Sequence, residues 1–456
     1  MPTEGKESFD SVRKHSQLLT LCGNCAEALR KNKTNPKSSS SDRQPKAANL
    51  ARFLLRGARL KSEASIAPPP PLAVPKASPS ERHRSEAESC FAGAKQAILR
   101  GHLELGLDLL NQTEALAGPL LQVLLTRVNA LRQARLWPEA LRRSRELLNT
   151  HPNSTDAHLD LGFIHLLQGQ WLDGWREREW RWQQPGFRNL IPAGIPIWNG
   201  APQPDARLWI RCEQGFGDFL QFCRLLPQAA AQVGSLVVTV PPSLQRLAQS
   251  SFPQIEFQPE ETAPFADTWI SLMSLPDRLQ WIPPEEAPPR YLQVDPPLPA
   301  RHRRPKAPVR RIGWVSAGNP EHFNDRNRSL GPESLGQFRL PASIQAFRVQ
   351  PDTRLSDNLP FNFHAPEIEL NDFSDTARWL ATLDLIITVD TSVAHLAGGL
   401  GIPVWILLPY APDWRWGTDG ETTQWYGSAR LFRQPRPNDW LSVLQSVQES
   451  LETLAA

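Results

Sequence analysis

The 456-residue chain has few cysteines and no long apolar run. Its five cysteines, an odd number in a chain this long, exclude a disulfide framework and fit a reducing compartment. No segment approaches the roughly 18 apolar residues of a membrane-spanning helix, and the first residues lack the basic, apolar, small-residue order of a signal peptide. We therefore expect a cytoplasmic protein with no transmembrane segment.

The chain also has little net charge, but its basic and acidic residues are unevenly distributed. The chain has 50 Lys and Arg against 47 Asp and Glu, a net charge of +3. Residues 1–86 hold 16 basic and 8 acidic residues, a net +8, so the remainder carries −5. With its serine and proline runs, this composition predicts a disordered basic tail over residues 1–90. We interpret it as a solvated tail, and we expect no nucleic-acid partner.

A helical repeat is predicted over residues 91–185. Trp137 aligns with Trp171 and Ala140 with Gly174, each pair 34 residues apart. This spacing is typical of helix-turn-helix repeats and resembles the tetratricopeptide repeat. The tryptophans near the end of the array recur at helical spacing, which predicts a face that packs on whatever follows. Two roles remain open for the array: a structural bridge, or a groove for a protein partner.

After the repeats, the pattern changes to alternating strands and helices. A strand at Arg207–Cys212, a glycine loop at Glu213–Asp218 and a strand at Ser235–Val240 indicate a Rossmann-like half over residues 205–282. A proline-rich linker is predicted at 283–308, followed by a second half at 309–450. The predicted fold class is therefore α/β, with two Rossmann-like halves after a short helical array and a disordered tail.

The most informative segment of the second half joins a strand, a polar turn and a helix. Leu385–Val389 is apolar or β-branched throughout, as a strand buried on both faces should be. Asp390, Thr391, Ser392 and Val393 follow at the carboxyl end of that strand. A helix N-terminus there offers unpaired N–H groups and a positive dipole to a phosphate or diphosphate. The alternative is that Ser392 only caps the helix.

Four motifs in this order carry a family resemblance: Glu-Gln-Gly-Phe-Gly-Asp at 213–218, Gly-Asn-Pro with Asn-Asp-Arg-Asn-Arg-Ser at 318–329, Val-Asp-Thr-Ser-Val-Ala-His-Leu-Ala-Gly at 389–398, and Leu-Pro-Tyr-Ala-Pro-Asp-Trp-Arg-Trp at 408–416. Together they resemble bacterial tetratricopeptide-linked glycosyltransferases. These are GT-B enzymes similar to the heptosyltransferase family (glycosyltransferase family 9) and, more distantly, to O-linked N-acetylglucosamine transferases. The resemblance covers roughly residues 120–450.

The resemblance implies transfer of a sugar from a nucleotide-sugar donor to an acceptor hydroxyl. The acceptor would be a glycan, a lipid-linked glycan or a protein side chain. GT-B sites usually neutralise the diphosphate leaving group with a helix N-terminus and basic side chains. No Asp-x-Asp occurs between residues 205 and 456, so we expect no metal and no cofactor.

The same resemblance assigns roles to residues of the loops. Asp218 is the candidate catalytic base, although an Asp at this place also caps the following helix. Gly215 and Gly217 would let the backbone approach a ligand closely. Arg326 and Arg328 would add charge-assisted hydrogen bonds to the diphosphate, unless they belong to a solvated loop.

The remaining candidates surround the predicted donor. Asp390 would bind ribose or sugar hydroxyls. His395 would contact phosphate or pack under the sheet. Trp414 and Trp416 would stack on the base or sugar, with core filling as the alternative.

Two further functions remain open. A non-catalytic scaffold would keep the repeats and a degenerate GT-B domain, and the short first half at 205–282 favours it. Loop 318–329, which carries arginine where the wider group often has lysine, also favours the scaffold. The third option is a nucleotide-binding regulator, which would bind the donor without transferring it.

Overall fold

The computed structural model describes residues 81–287, 290–294, 310–322, 324–349 and 362–455. The predicted tail up to residue 80 lies outside these residues, as do residues 288–289 and 295–308 of the predicted linker. Two compact units divide the chain, one ending at Ala130 and the other running from Leu131 to Ala456. The predicted α/β class is confirmed.

Helices alone occupy the first part of the described chain. They are α1 (Glu81–Leu99), α2 (Leu103–Ala117), α3 (Leu121–Gln133), α4 (Trp137–Thr150), α5 (Thr155–Leu167) and α6 (Trp171–Arg178), then a 3-10 turn at Glu179–Gln183 and α7 (Pro185–Arg188). The prediction of a disordered tail to residue 90 was wrong for its last ten residues. They form the start of α1, because α1 packs on α2 and buries small residues such as Ala87 and Ala94.

The predicted 34-residue period recurs in the helix starts. Helices α3 and α5 begin at residues 121 and 155, and α4 and α6 begin at 137 and 171. The turns inside the hairpins repeat as well, since Gly101, Arg135 and Gly169 all have positive φ (79°, 58° and 74°). Arg135 adopts a left-handed conformation that glycine adopts more readily, so the repeat geometry overrides the residue's own preference there.

The first Rossmann-like half contains a four-stranded parallel sheet in the order β3-β2-β1-β4. Its elements are β1 (Gln203–Arg211), α8 (Phe216–Phe222), α9 (Leu226–Ala230), β2 (Val233–Val240), α10 (Pro242–Ser251), β3 (Glu256–Pro259), β4 (Thr268–Ser271) and α11 (Leu275–Arg278). The glycine loop follows β1 directly, as predicted.

The second half contains a six-stranded parallel sheet in the order β10-β9-β8-β5-β6-β7. Its elements are β5 (Arg311–Val315), α12 (Asp325–Arg328), α13 (Pro332–Leu335), β6 (Gln345–Arg348), β7 (Phe363–His364), α14 (Phe373–Leu380), β8 (Leu385–Val389), α15 (Ser392–Leu400), β9 (Val404–Leu408), β10 (Ala429–Arg433) and α16 (Trp440–Ala455). Strand β8 is buried along its whole length, which explains its continuous apolar sequence.

The strand order of the second sheet reverses between β5 and β8, which are direct neighbours. From β5 the sheet continues in one direction to β6 and β7, and from β8 it continues in the opposite direction to β9 and β10. In open parallel sheets, ligands bind beyond the carboxyl ends of the strands at such a reversal. This places loop 316–329, after β5, and Asp390–Ser392, after β8, at the position where a ligand is expected.

Tryptophan side chains attach the last repeat hairpin to both sheet halves, as the sequence predicted. Trp171 lies 5.7 Å from Trp425, ring centre to ring centre. Trp175 contacts Trp414 edge to face at 5.4 Å and Phe222 at 5.9 Å. Because Phe222 belongs to the first half and Trp414 to the second, the hairpin is part of the same core as both sheets.

Candidate functional site

The start of α15 carries a side-chain cap. Thr391 is the N-cap, and its hydroxyl accepts a hydrogen bond from the N–H of Val393 at 3.3 Å. The alternative that Ser392 serves as the cap is therefore wrong. Ser392 is the first helical residue, half-buried at the helix end. The N–H groups of a first turn have no intrahelical acceptor and point at whatever lies beyond the helix.

Arg328 lies beside this helix start. Its Nη1 donates to the carbonyl oxygen of Asp390 at 3.0 Å, and Asp325 lies 3.5 Å from its Nε. Its guanidinium covers Gly318 so closely that a Cβ there would collide with it. A larger residue at position 318 would therefore displace the Arg328 guanidinium, which is the flexible end of its side chain. Arg326, two residues earlier, is exposed.

The glycine loop of the first half touches the same helix start. A Cβ on Gly217 would lie 3.0 Å from Cδ2 of His395 and 3.6 Å from Cα of Ser392. Gly217 therefore permits a close approach between the two halves. Gly215 has an ordinary extended backbone, and Gln214 is the residue of this loop with positive φ, 71°.

Asp218 caps α8, the second of the two roles that the sequence left open for it, and it also forms an ion pair. Its Oδ2 accepts a hydrogen bond from the N–H of Gly215 at 2.9 Å, which caps α8. Its Oδ1 accepts a hydrogen bond from Nη2 of Arg415, in the other half. Both carboxylate oxygens are therefore engaged in this structure.

Arg415 is the centre of the polar network. Besides Asp218, it binds Asp413 through Nη1 at 2.9 Å and Gln221 through Nε. Burial alone would lower the pKa of Arg415, but the carboxylates of Asp413, Asp218 and Asp390 more than offset it and raise that pKa. Arg415 is consequently a permanent cation shared by acidic groups of both halves.

The network shifts the pKa values of two further groups. Burial, followed by the nearby Asp413 carboxylate, raises the pKa of Asp390 to about 6 against the opposing effect of Arg415. Burial and the cations Arg415, Arg224 and Arg328 lower the pKa of His395 well below its usual value. Its Nδ1 lies 2.8 Å from the hydroxyl of Tyr426. His395 is thus a neutral side chain at neutral pH.

Trp414 and Trp416 are each only 2% exposed. Trp414 packs on Trp175, and Trp416 stacks on His395 with ring centres 5.4 Å apart. This packing favours the core-filling alternative for both rings. Their position still matters, because it fixes Arg415 between them.

A second buried ion pair was not singled out in the sequence. Arg181, in the 3-10 turn after α6, donates to Glu213 Oε1 at 3.1 Å and to Ser274 at 2.7 Å. Glu213 opens the glycine loop, and burial raises the pKa of its carboxyl. The helical segment therefore holds the loop that carries Asp218.

No protein-family model matches the chain. Protein FlbA from Caulobacter vibrioides is 28% identical over 329 residues, which are 64% of this chain and 54% of FlbA. The chain thus spans about half the length of this curated relative.

Solved glycosyltransferase structures are similar to parts of the chain. TibC from enterotoxigenic E. coli has 14% identity and a TM-score of 0.36, covering 56% of this chain and 76% of its own. E. coli heptosyltransferase WaaC with ADP has 13% identity and a TM-score of 0.36, and the match covers 54% of this chain and 99% of WaaC. O-GlcNAc transferase from Thermobaculum terrenum has 11% identity and a TM-score of 0.27, and the match covers 82% of this chain and 92% of the transferase. These scores are below 0.5, so the fold assignment depends on the chain's own sheet topology.

The prediction that no cofactor takes part is corrected by one of these structures. TibC is described as an iron-containing glycosyltransferase, so the resemblance does not imply a cofactor-free site. Within the described ranges, no group of three or more His, Cys, Asp or Glu is arranged to hold a metal ion. The described residues therefore do not supply the ligands of an iron centre, and no step of the proposed reaction uses iron.

Helices within the described ranges are all too short or too polar to cross a membrane.

Proposed function

We propose that the chain is a glycosyltransferase that moves a sugar from a nucleotide-sugar donor to an acceptor hydroxyl. One observation carries the proposal: the glycine loop of the first half meets the N-terminus of α15, through Gly217 against His395 and Ser392. This contact brings a carboxylate, Asp218, close to the helix end at the strand-order reversal of the second sheet, where an anion would bind.

The diphosphate of the donor would lie at the start of α15. The backbone of Thr391, Ser392 and Val393 would donate hydrogen bonds to it, with the N–H of Val393 shared between the phosphate and the Thr391 hydroxyl that accepts it in this structure. Arg328, anchored on the carbonyl of Asp390, would add a charge-assisted bond. Arg326 is the second predicted contact of this kind. Such donors stabilise the negative charge that develops when the bond between the sugar and the diphosphate breaks.

Asp218 would be the general base. It would accept the proton of the acceptor hydroxyl while that oxygen forms the new bond to the sugar and the nucleoside diphosphate leaves. In the present structure Arg415 and the N–H of Gly215 hold its two oxygens. Accepting a proton therefore requires that the acceptor hydroxyl displace or share one of these partners. Asp390 would bind ribose or sugar hydroxyls.

The test measures binding and turnover separately, using UDP-, GDP- and ADP-sugars. We expect calorimetry to detect binding of at least one nucleoside diphosphate. A release assay should then detect the formation of that nucleoside diphosphate from the matching sugar donor. Asp218→Asn should keep that affinity and lose about 10²- to 10⁴-fold in turnover. Asp205→Asn, on an exposed residue of β1, is the matched control. Unchanged turnover in Asp218→Asn would remove Asp218 from the role of base.

The engagement of both Asp218 oxygens favours one alternative, a nucleotide-binding regulator. Such a protein would bind a nucleoside diphosphate with the same affinity but release none from any sugar donor. The same pair of assays distinguishes it from the enzyme.

A further inference from the structure

Arg181 joins the helical array to the carboxyl edge of the first sheet. It lies in the 3-10 turn after α6, and its side chain is 3% exposed. Its Nη2 donates to Glu213 at 3.1 Å, to Ser271 at 3.2 Å and to Ser274 at 2.7 Å. Ser271 ends β4, and its register partner Arg211 ends the neighbouring strand β1. One cation of the array thus holds the chain where two adjacent strands end.

The residue after Glu213 has an unfavourable backbone conformation. Gln214 has a φ of 71°, in the left-handed region that residues with a Cβ rarely adopt. Such a conformation persists only where the surrounding structure holds it in place. On one side, the Glu213 side chain is 1% exposed and is paired with Arg181. On the other, the N–H of Gly215 donates to Asp218. The ion pair is therefore one of two anchors of this strained turn.

The strained turn determines where Asp218 lies. Glu213 opens the short glycine loop and Asp218 closes it, and Gly217 between them contacts the start of α15. A shift at Glu213 would therefore move Asp218 relative to that helix end. Within the described part of the chain, every hydrogen bond of Arg181 goes to the helical segment or to the first half. Arg181 consequently acts on the loop and not on the second half.

We propose that Arg181 is a positioning residue of the transfer reaction, which holds the glycine loop so that Asp218 faces the acceptor hydroxyl at the start of α15. The inference rests on the proposed function, because it takes Asp218 as the general base. It makes the end of the helical array a working part of the transferase. Arg181 should affect turnover and not donor affinity, because the proposed diphosphate contacts belong to the second half.

The first test separates turnover from affinity. Arg181→Gln should lower turnover about 10²-fold, as a misplacement of a catalytic group by about 1 Å can do. Its affinity for the nucleoside diphosphate should stay within about twofold, and turnover is expressed per binding site so that unfolded protein does not count. Arg181→Lys keeps a cation near Glu213 but loses the planar set of donors, so it should retain more turnover than Arg181→Gln.

A double variant covers the case in which Arg181→Gln does not fold. That single change leaves Glu213 as a buried carboxylate without its cation, which is destabilising. Arg181→Met combined with Glu213→Gln removes both charges, and buried ion pairs replaced in this way are often tolerated. The double variant should fold, bind the nucleoside diphosphate and still lose about 10²-fold in turnover. Arg176→Gln is the matched control, since Arg176 lies on α6 with its side chain 67% exposed and pairs with Asp173.

Hydrogen exchange measured by mass spectrometry adds a readout that does not depend on activity. In the Arg181 variants, the amides of residues 213–218 should exchange faster than in the unchanged protein, because one anchor of the loop is lost. The amides of residues 392–400, in α15, should exchange at the same rate in all of them.

Turnover of the double variant within about twofold of the unchanged protein would overturn the inference, and the proposed function would still stand. Equal losses of turnover and affinity would overturn it as well, because they would indicate a general disruption of the fold. An unchanged protein that binds a nucleoside diphosphate but forms none from any sugar donor would instead contradict the proposed function and, with it, this inference.

Discussion

Arg415 donates a hydrogen bond to Asp218 although 197 residues separate them in the chain. One residue follows β9 of the second half and the other lies in the first turn of α8 in the first half. The candidate base is thus held by a cation of the opposite half. This pair couples the stability of the contact between the halves to the geometry of the site.

Replacing Arg415 should destabilise the protein strongly. Arg415→Ala leaves the carboxylates of Asp218 and Asp413 without their cation, and breaking a buried ion pair by removing one partner costs about 3–5 kcal/mol. Urea unfolding gives the free energy of unfolding. Arg436→Ala, whose side chain is 79% exposed and pairs with Asp439, should change it by less than about 0.5 kcal/mol. Similar values for the two variants would contradict the central position of Arg415.

Trp175 should be a main stabilising contact between the helical hairpin and the sheets. Its ring is 3% exposed, and its Nε1–H donates to the carbonyl of Trp281 at 2.9 Å. Trp175→Ala should cost about 3–5 kcal/mol in the free energy of unfolding. Phe265→Ala, at a ring that is 82% exposed, is the control. If truncating Trp175 costs no more than truncating Phe265, the hairpin is not part of the core.

Asp390 should make the stability depend on pH near 6. Its folded-state pKa is raised to about 6 from an ordinary value of 3.8, so the folded state binds more protons between these values. Stability is then lost as the pH rises through that interval and stays lower above it.

Asp390→Asn should remove this loss. We expect the variant to be more stable than the unchanged protein at pH 8, by about 1–3 kcal/mol, and nearly equal to it at pH 4. Thermal unfolding over this pH range provides the comparison. A constant difference between the two proteins at every pH would show that Asp390 does not titrate in the interval.

Arg328 and Arg326 should differ in donor binding. Arg328 lies at the start of α15 on the carbonyl of Asp390, whereas Arg326 is exposed. Arg328→Ala should weaken nucleoside diphosphate binding by about tenfold or more, because one charge-assisted hydrogen bond to phosphate is lost. Calorimetry on Arg328→Ala and Arg326→Ala measures each contribution. An unchanged affinity in Arg328→Ala would remove that residue from the donor site.

Local sequence was sufficient to predict the sheet and the helical period. Leu385–Val389 is apolar or β-branched throughout and forms a strand with those same bounds. The 34-residue spacing of Trp137 and Trp171 marks the starts of two equivalent helices. These features depend on neighbours within one strand or one repeat, so a sequence displays them directly.

The site network could not be predicted in the same way. Asp218 pairs with Arg415 and Glu213 with Arg181 only because the halves and the hairpin pack together, and no local pattern encodes those partners. Trp414 also illustrates the limit, since a tryptophan after a strand suits either a ligand pocket or a core. Its contact with Trp175, from the helical array, placed it in the core.

A crystal structure with bound UDP, GDP or ADP would show whether a nucleoside diphosphate binds at the N-terminus of α15. We expect its diphosphate within hydrogen-bond distance of the backbone N–H of Ser392 and of the Arg328 side chain. A diphosphate bound elsewhere, or none at this helix end at a saturating concentration, would contradict it.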